Sequence, residues 1–405
     1  MAVLFLTHKY PPSIGGMEKQ SYELINGYSK YEKVFSITYS GLESKLVFFA
    51  KLYFRVKKVI HENPEISTIH LNDGLMATFC WWIKKATGCK VFVTLHGLDV
   101  TYPLALYQKW LLPLLIKLDG YICVSEFTKL EASTRGFPAD KLYVVNNGVD
   151  HNWTTNKTLN FKQKNLKLKL RKKIGIEEDT WVLISIGRPV KRKGFSWFIK
   201  EVLPLFKNRK IIFYRIGENS NPGFYSFLLK ILPPKARLEF QLLFGLPSDI
   251  DDISKAIKGL PPNIKVYQPG KLPMNQVLNL MLLSDLFVMP NIQFQGDCEG
   301  FGIVALEAAI LHKVVLASDL EGIKDAVSQG NNGLKVKAGD AKAWFDEINN
   351  ILENKAFVQI FEDKASKYTM NHFSWDKMVI RYREIMSQHI YPIPENKIPL
   401  LASIS

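Results

Sequence analysis

Short apolar runs separated by longer amphipathic stretches dominate this chain, and that alternation predicts parallel strands joined by helices. In the first part, the runs at 3–6, 34–37, 68–71, 91–95, 120–124 and 143–146 have strand length and are rich in strand-favouring residues. A polar stretch from His151 to about Lys164, rich in Asn, Thr and Lys, reads as a linker. The pattern then restarts at 181–186, 211–216, 264–267, 286–289 and 314–317. The architecture repeats without a close sequence repeat. The expected fold class is therefore α/β, with two doubly wound, Rossmann-like domains facing across a cleft and ligands beyond the strand carboxyl ends. The expected boundaries are 1–160, 161–372, a closing helix in 373–392 and a tail at 393–405. Phe373-Ser-Trp-Asp376 opens that helix, which should run to about Gln388 with Ser374 as its N-cap.

Two segments exceed the minimal pattern. In the predicted helix 46–60, Phe48, Phe49, Tyr53 and Phe54 interleave with Lys51, Arg55, Lys57 and Lys58, after Lys45. Its apolar content exceeds one core stripe, so it reads either as a helix packed on the first sheet or as one lying on an anionic membrane surface. The stretch 223–259 is longer than a simple strand-to-helix connection and contains Phe224, Tyr225, Phe227, Leu228 and Leu229. It reads as an inserted helical subdomain.

Composition narrows the class. A chain of 405 residues is comfortable for two domains, and 47% hydrophobic with 22% charged residues is ordinary for a globular protein. No apolar run approaches the roughly 18–20 residues of a membrane span. The start, Met1-Ala-Val-Leu-Phe-Leu, has no basic flank and reads as a first strand instead of a leader. Cys80, Cys89, Cys123 and Cys298 are scattered, which indicates neither a zinc site nor a disulfide framework. A soluble protein of the reducing cytosol is expected, peripheral at the inner membrane face if it meets a membrane. The sequons at Asn152 and Asn156 would then be coincidental. Fifty-three Lys and Arg against 38 Asp and Glu, a net charge of +15, favour polyanionic partners. No zinc finger or RNA-binding aromatic signature points to nucleic acid.

The candidate chemistry centres on Glu299-Gly-Phe-Gly-Ile-Val-Ala-Leu-Glu307. A glycine-containing turn that feeds a helix presents free backbone N–H groups and a positive dipole end to an anion. The flanking carboxylates can accept hydrogen bonds from sugar hydroxyls. With the helix starting near Gly302, Glu307 lies roughly 8 Å along it at about 1.5 Å per residue. Sugar and ribose on either side of a diphosphate fit that spacing. Gly187-Arg-Pro-Val-Lys-Arg-Lys-Gly194 follows a strand, and Arg188 and Lys193 there could neutralise a diphosphate, while Lys191 and Arg192 read as solvated.

Other loops are weaker signals. Gly15 and Gly16 open a helix after the first strand and allow close approach of a ligand, but match neither a dinucleotide fingerprint nor a P-loop. His96 could bond a sugar or be purely structural, and Asp99 could orient an acceptor hydroxyl or cap a helix. Asn146-Asn-Gly148-Val-Asp150 is a turn bordering the cleft. Asp249-Ile-Asp251 has a metal-binding spacing, yet it reads better as first-turn acids of a helix capped by Ser248.

Together these segments resemble the retaining, GT-B-fold glycosyltransferases of family 4, the group 1 transferases. The resemblance runs in family order through Gly15-Gly16, His96-Gly97, Asn147-Gly148-Val149-Asp150, Gly187-Arg188 to Lys193-Gly194, Glu299 to Glu307 and Phe373-Ser-Trp375. It implies that Glu307 binds the donor ribose and Glu299 a hydroxyl of the donor sugar. The backbone of Gly300, Phe301, Gly302, Ile303 and Val304 would cradle sugar and phosphate. Arg188 and Lys193 would stabilise the leaving diphosphate, Gly16 approach it from the facing domain, and His96 lie near the reacting carbon. Lys271 and Leu272 fall where the family places the base, and the last helix would cross back to the first domain.

The resemblance further implies a nucleotide-diphosphate sugar as co-substrate, no metal or other cofactor, and a glycan or lipid-linked acceptor in cell-surface polysaccharide, lipopolysaccharide or glycolipid synthesis. The polar stretch Gln293-Phe-Gln-Gly-Asp297 and the insertion after Gly223 depart from the family pattern. Competing readings are a GT-B phosphorylase and a non-catalytic nucleotide-sugar-binding protein. A glycoside hydrolase would also use two acids, but would not need Arg188 and Lys193 aimed at an anion.

Overall fold

The structure, a computed structural model, describes residues 2–151, 164–218, 231–233, 237, 241–242 and 248–388. Most of the expected linker, both sequons, the aromatic part of the insertion and the tail lie outside the described residues.

Twelve strands are described, in two six-stranded sheets. The first sheet has the order β2-β1-β3-β4-β5-β6, from β1 (Ala2–Thr7), β2 (Lys33–Thr38), β3 (Ile66–Leu71), β4 (Lys90–Leu95), β5 (Gly120–Cys123) and β6 (Leu142–Val144). The second has the order β12-β11-β10-β7-β8-β9, from β7 (Trp181–Ile186), β8 (Ile211–Ile216), β9 (Ile264–Gly270), β10 (Leu286–Met289), β11 (Val315–Ser318) and β12 (Leu334–Val336). All ladders between these strands are parallel. Burial on both faces explains the near-continuous apolar runs; β1 and β11 are buried throughout. Strand order reverses beside β1 in the first sheet and beside β7 in the second. The loops after β1, β3, β7 and β10 therefore diverge and open a crevice.

Helix α1 (Gly16–Tyr28) follows β1, and α2 (Lys45–Glu62) begins under a Ser44 cap whose Oγ accepts from Val47 N at 3.3 Å. Phe48, Leu52 and Val56 form a buried i, i+4, i+8 stripe in α2 that joins the first-domain core. Its outward side carries Leu46 and Phe54, 83% and 73% exposed. The expectation of a helix packed on the first sheet describes its inner face. The insertion contributes Leu242, buried in that same core.

Four further helices bear on the site: α3 (Gly74–Phe79), α4 (Ile250–Lys258), α5 (Ile303–Ile310) and α6 (Trp375–Gln388). Ser374 Oγ accepts from Lys377 N at 3.1 Å at the start of α6. Although last in sequence, α6 packs on α1. Val379, Tyr382, Ile385 and Met386 are fully buried in one cluster with Val3, Phe5 and Leu24 of the first domain. Tyr382 Oη lies 2.9 Å from Thr94 Oγ1 and accepts from Gln20 Nε2 at 3.1 Å. Each such apolar side chain contributes roughly 1.5–3 kcal/mol by burial.

The chain crosses itself where Gly148 meets the start of α6. A Cβ on Gly148 would stand 2.3 Å from Trp375 N and 2.4 Å from Ser374 C. Gly148→Ala should therefore lower stability by about 1–3 kcal/mol, seen as a reduced urea midpoint. An unchanged midpoint would show that this crossing can shift freely.

Candidate functional site

The loops after β7 and β10 build one wall of the crevice. Glu299 is the hub. Its Oε2 takes Lys193 Nζ at 2.5 Å, Arg192 Nη1 at 3.3 Å and Asn291 Nδ2 at 3.1 Å. Burial works to raise this carboxyl, but Lys193 and then Arg192 outweigh it, and it titrates at about 2 against an ordinary 4.5. For Lys193 burial wins over the Glu299 charge, and its ammonium is shifted down. Arg192 also bonds Asp297 through Nε at 3.0 Å. Burial opposes its charge, yet Glu299 and Asp297 shift it upward. The expectation that Arg192 is solvated is corrected here: its side chain is 15% exposed and completes the cluster.

Lys191 was also expected to be solvated, but it pairs with Asp252 and lies 3.5 Å from Asp249. Asp249 departs from a first-turn acid as well. It is fully buried, and its carboxylate accepts Ser196 N at 2.9 Å and Ser196 Oγ at 2.6 Å. That caps the helical turn which opens at Phe195, directly after the basic loop. Ser248 Oγ accepts from Ile250 N at 3.3 Å. Among the described residues, no group of three or more His, Cys, Asp or Glu is arranged to hold a metal ion.

Arg188 stands apart from this cluster, exposed, with no ion pair among the described residues. Burial of its inner part, then Arg192, shifts it downward, while the charges of Asp297, Glu18 and Glu299 act the other way. The influence of Glu18, on α1, marks its proximity to the facing domain. Next to these cations, Gly302 at φ 94° turns the chain into α5. The first amides of α5 lack intrahelical acceptors and suit an anion.

The opposite wall comes from the first domain. A Cβ on Gly16 would lie 3.5 Å from Ile303 Cδ1, which sets the Gly15-Gly16 loop against the start of α5. Lys19 Nζ lies 3.3 Å from Glu307 Oε1 across the crevice. Lys19 escaped the sequence reading, since nothing distinguishes it from other helix-surface lysines. Lower down, Gly97, Gly300 and Gly322 stack backbone on backbone. A side chain at Gly300 would sit 2.0 Å from His96 O, and one at Gly322 2.0 Å from Gly300 O. Only glycine permits this approach.

His96 Nε2 donates to Asn72 O at 2.9 Å, so Nδ1 is left for a further partner. Asp99, expected to orient an acceptor hydroxyl or cap a helix, takes backbone donors. Its carboxylate accepts His96 N at 2.9 and 3.0 Å and Gly74 N, at the start of α3, at 3.1 Å. Burial shifts it upward. Both oxygens hold the His96 turn in place. Lys271 is exposed beyond β9, and Leu272 packs against the cluster that contains Phe301 and Met289.

Comparison with known proteins places this geometry. The family pattern described as "Glycosyl transferases group 1" matches residues 167–369, and that described as "Glycosyltransferase Family 4" matches residues 5–153. The chain belongs to the group 1 glycosyl transferases. An uncharacterized glycosyltransferase of Methanocaldococcus jannaschii is 24% identical over 262 residues, covering 64% of this chain and 57% of that protein. The lipopolysaccharide 1,2-N-acetylglucosaminetransferase of Salmonella typhimurium is 27% identical over 221 residues, covering 54% and 51%. The chain thus spans little more than half the length of these relatives. The crystal structure of Anabaena HepE in complex with UDP-glucose superposes with a TM-score of 0.71 at 17% identity, covering 96% of this chain and all of that one. The two facing sheets are accordingly a GT-B fold.

The group 1 transferase should respond differently to loss of each of the two arginines in the loop after β7. Arg192→Ala leaves a buried charge without its partner and should cost roughly 3–5 kcal/mol. Arg188→Ala, in the open crevice, should stay within about 0.5 kcal/mol of the parent. Urea unfolding of both variants checks this; equal losses would contradict the assigned burial. Because Glu299 is depressed in the folded state, its stabilisation is present above about pH 4.5 and is lost as pH falls towards about 2. Acid unfolding of Glu299→Gln should lose that component.

Proposed function

We propose that this chain is a retaining glycosyltransferase that moves a sugar from a nucleotide-diphosphate sugar to a hydroxyl of a glycan or lipid-linked acceptor. The observation carrying this reading is the Lys193–Glu299–Arg192 cluster beside the α5 amides, with Arg188 uncommitted and Gly16 opposite. Such a site offers a diphosphate positive charge from two sides and keeps a carboxylate ionised for sugar hydroxyls. The UDP-glucose bound by Anabaena HepE supports the donor class.

In this reading the bond from the anomeric carbon to the phosphate oxygen breaks through an oxocarbenium-like state, and charge develops on the phosphate. Arg188, Lys193 and the helix terminus stabilise that charge where it appears. Glu299 holds a sugar hydroxyl through Oε1, since Oε2 carries its three protein donors. Glu307 takes the ribose and exchanges its contact with Lys19 in doing so. The Gly300–Val304 backbone lies along sugar and phosphate, and Lys271 and Leu272 border the base. His96, with Nε2 committed to Asn72 O, turns Nδ1 to the sugar. The acceptor hydroxyl attacks from the face the diphosphate leaves, and its proton passes to the departing phosphate. Protein side chains supply the positive charge, so the step needs no metal.

The acceptor reading rests on exposed side chains of α2 and of the segments near it in sequence or packing. Leu42, Leu46, Phe54, Phe79 and Trp81 are exposed, among Lys51, Lys57 and Lys58. Aromatic side chains among lysines suit the interface of an anionic bilayer. A lipid-linked glycan at the cytoplasmic face of a membrane, in cell-surface polysaccharide or glycolipid synthesis, follows.

Arg188→Ala should reduce turnover by about 10²–10³, by analogy with loss of one transition-state donor. Nucleotide release from UDP- or GDP-sugars, with a lipid extract as acceptor source, measures it; undiminished release removes Arg188 from the mechanism. Flotation with phosphatidylglycerol vesicles at low salt should carry the chain upward, and Phe54→Ser with Trp81→Ser should abolish this. A parent that stays at the bottom of the gradient counts against the membrane acceptor.

A further inference from the structure

The loop after β11 holds an acid in a backbone conformation that such a residue seldom adopts. Glu321 has φ 48°, in the left-handed region that disfavours an L side chain. Among the described residues, His312 is the other non-glycine with positive φ; it precedes β11, at the opposite edge of the sheet from the crevice. An outlier at a strand carboxyl end beside a ligand crevice points to use of its side chain.

What that side chain does is visible. Glu321 Oε2 accepts the Glu299 N–H at 2.6 Å, and Gly322 N donates to Glu299 O at 3.1 Å. Both polar backbone groups of Glu299 are therefore held by consecutive residues of one turn. Glycine at 321 would relax the backbone and keep the second bond, but lose the first. The carboxyl is what the strained turn gains.

We propose that Glu321 is a positioning residue of the donor site, whose carboxyl holds the Glu299-Gly300 backbone in the shape that receives the diphosphate-sugar. This rests on the donor reading above and adds a residue to it.

The charges around Glu321 give the role a signature. Asp297, Cys298 and Glu299 face it from the loop before α5, and Arg192 from the loop after β7. Burial raises its titration most and the Glu299 charge adds to that, while the Glu299 N–H and Arg192 work downward, leaving it at about 7. Below that pH the neutral acid still accepts the Glu299 N–H through its carbonyl oxygen. Above it, a carboxylate adds negative charge beside the place of an anion. Donor affinity therefore falls as pH rises through about 7, and donor binding near that pH takes up a proton.

Calorimetry on the full chain with UDP-glucose and GDP-mannose, at about pH 6 and about pH 8, one unit either side of that titration, tests this. The parent should bind one of them several-fold more weakly at the higher pH. Glu321→Gln keeps the acceptor oxygen and should hold the low-pH affinity at both values. Glu321→Gly should bind about 3- to 10-fold more weakly at both, as for loss of one hydrogen bond, with a melting temperature at or above the parent's. Parent-like affinity in Glu321→Gly together with parent-like pH dependence in Glu321→Gln overturns the proposal. Failure of the unaltered chain to bind either probe overturns the donor reading itself, and the proposal with it.

Discussion

A buried carboxylate with three donors on one oxygen organises the second domain's wall. The Glu299 side chain is only 12% exposed, and a charge so far from water is tolerated only when opposite charge and hydrogen bonds meet it. Lys193 and Arg192 come from the loop after β7 and Asn291 from the loop after β10, so this one group ties both sides of the strand-order reversal together. The neighbouring features follow from it. Lys191 turns outward to Asp249 and Asp252, Asp249 caps the helical turn after the basic loop, and Arg188 is left as the cation facing the crevice. The loop holds Arg192 and Lys193 inward on Glu299 and leaves Arg188 exposed.

Contact between the two domains depends on a different constraint, the absence of side chains. Gly97, Gly300 and Gly322 bring three backbone segments within direct contact, two from the second domain and one from the first. Asp99 secures the first-domain member by holding His96 N and Gly74 N, and Glu321 secures a second-domain member by holding Glu299 N. Two carboxylates in similar roles thus fix the backbone on either side of the stack. Both are partly buried and both are shifted upward by that burial.

The strand pattern was legible because strands buried on both faces must be short and apolar, as in β1 and β10. Leu334-Lys-Val336 escaped because three residues with a central lysine carry no period. Ser374 was readable as a cap since its chemistry is local, one hydroxyl and an amide three residues on. Arg192 was not, because three consecutive bases look alike until the fold determines which one turns inward. Asp99 was ambiguous for a related reason: its partners are amides, and backbone donors leave no mark in a sequence. The dipeptide Glu321-Gly322 reads as an ordinary turn, and the sign of φ at its first residue appears only in three dimensions. Local chemistry was visible; long-range pairing of charges was not.

Two of the contacts that join the domains differ in strength, and that difference bears on how the crevice can work. Helix α6 buries Val379, Tyr382, Ile385 and Met386 against the first domain, an apolar attachment worth several kcal/mol by burial alone. By contrast, Lys19 and Glu307 meet across the crevice mouth with side chains 26% and 17% exposed. A partly hydrated ion pair of this kind contributes little net energy, typically below about 1 kcal/mol. Its two charges are therefore available to other polar groups at small cost. The apolar attachment carries the stability, and the ion pair at the crevice mouth is weak. A polar ligand competing for Glu307 would displace this ion pair, not the α6 attachment.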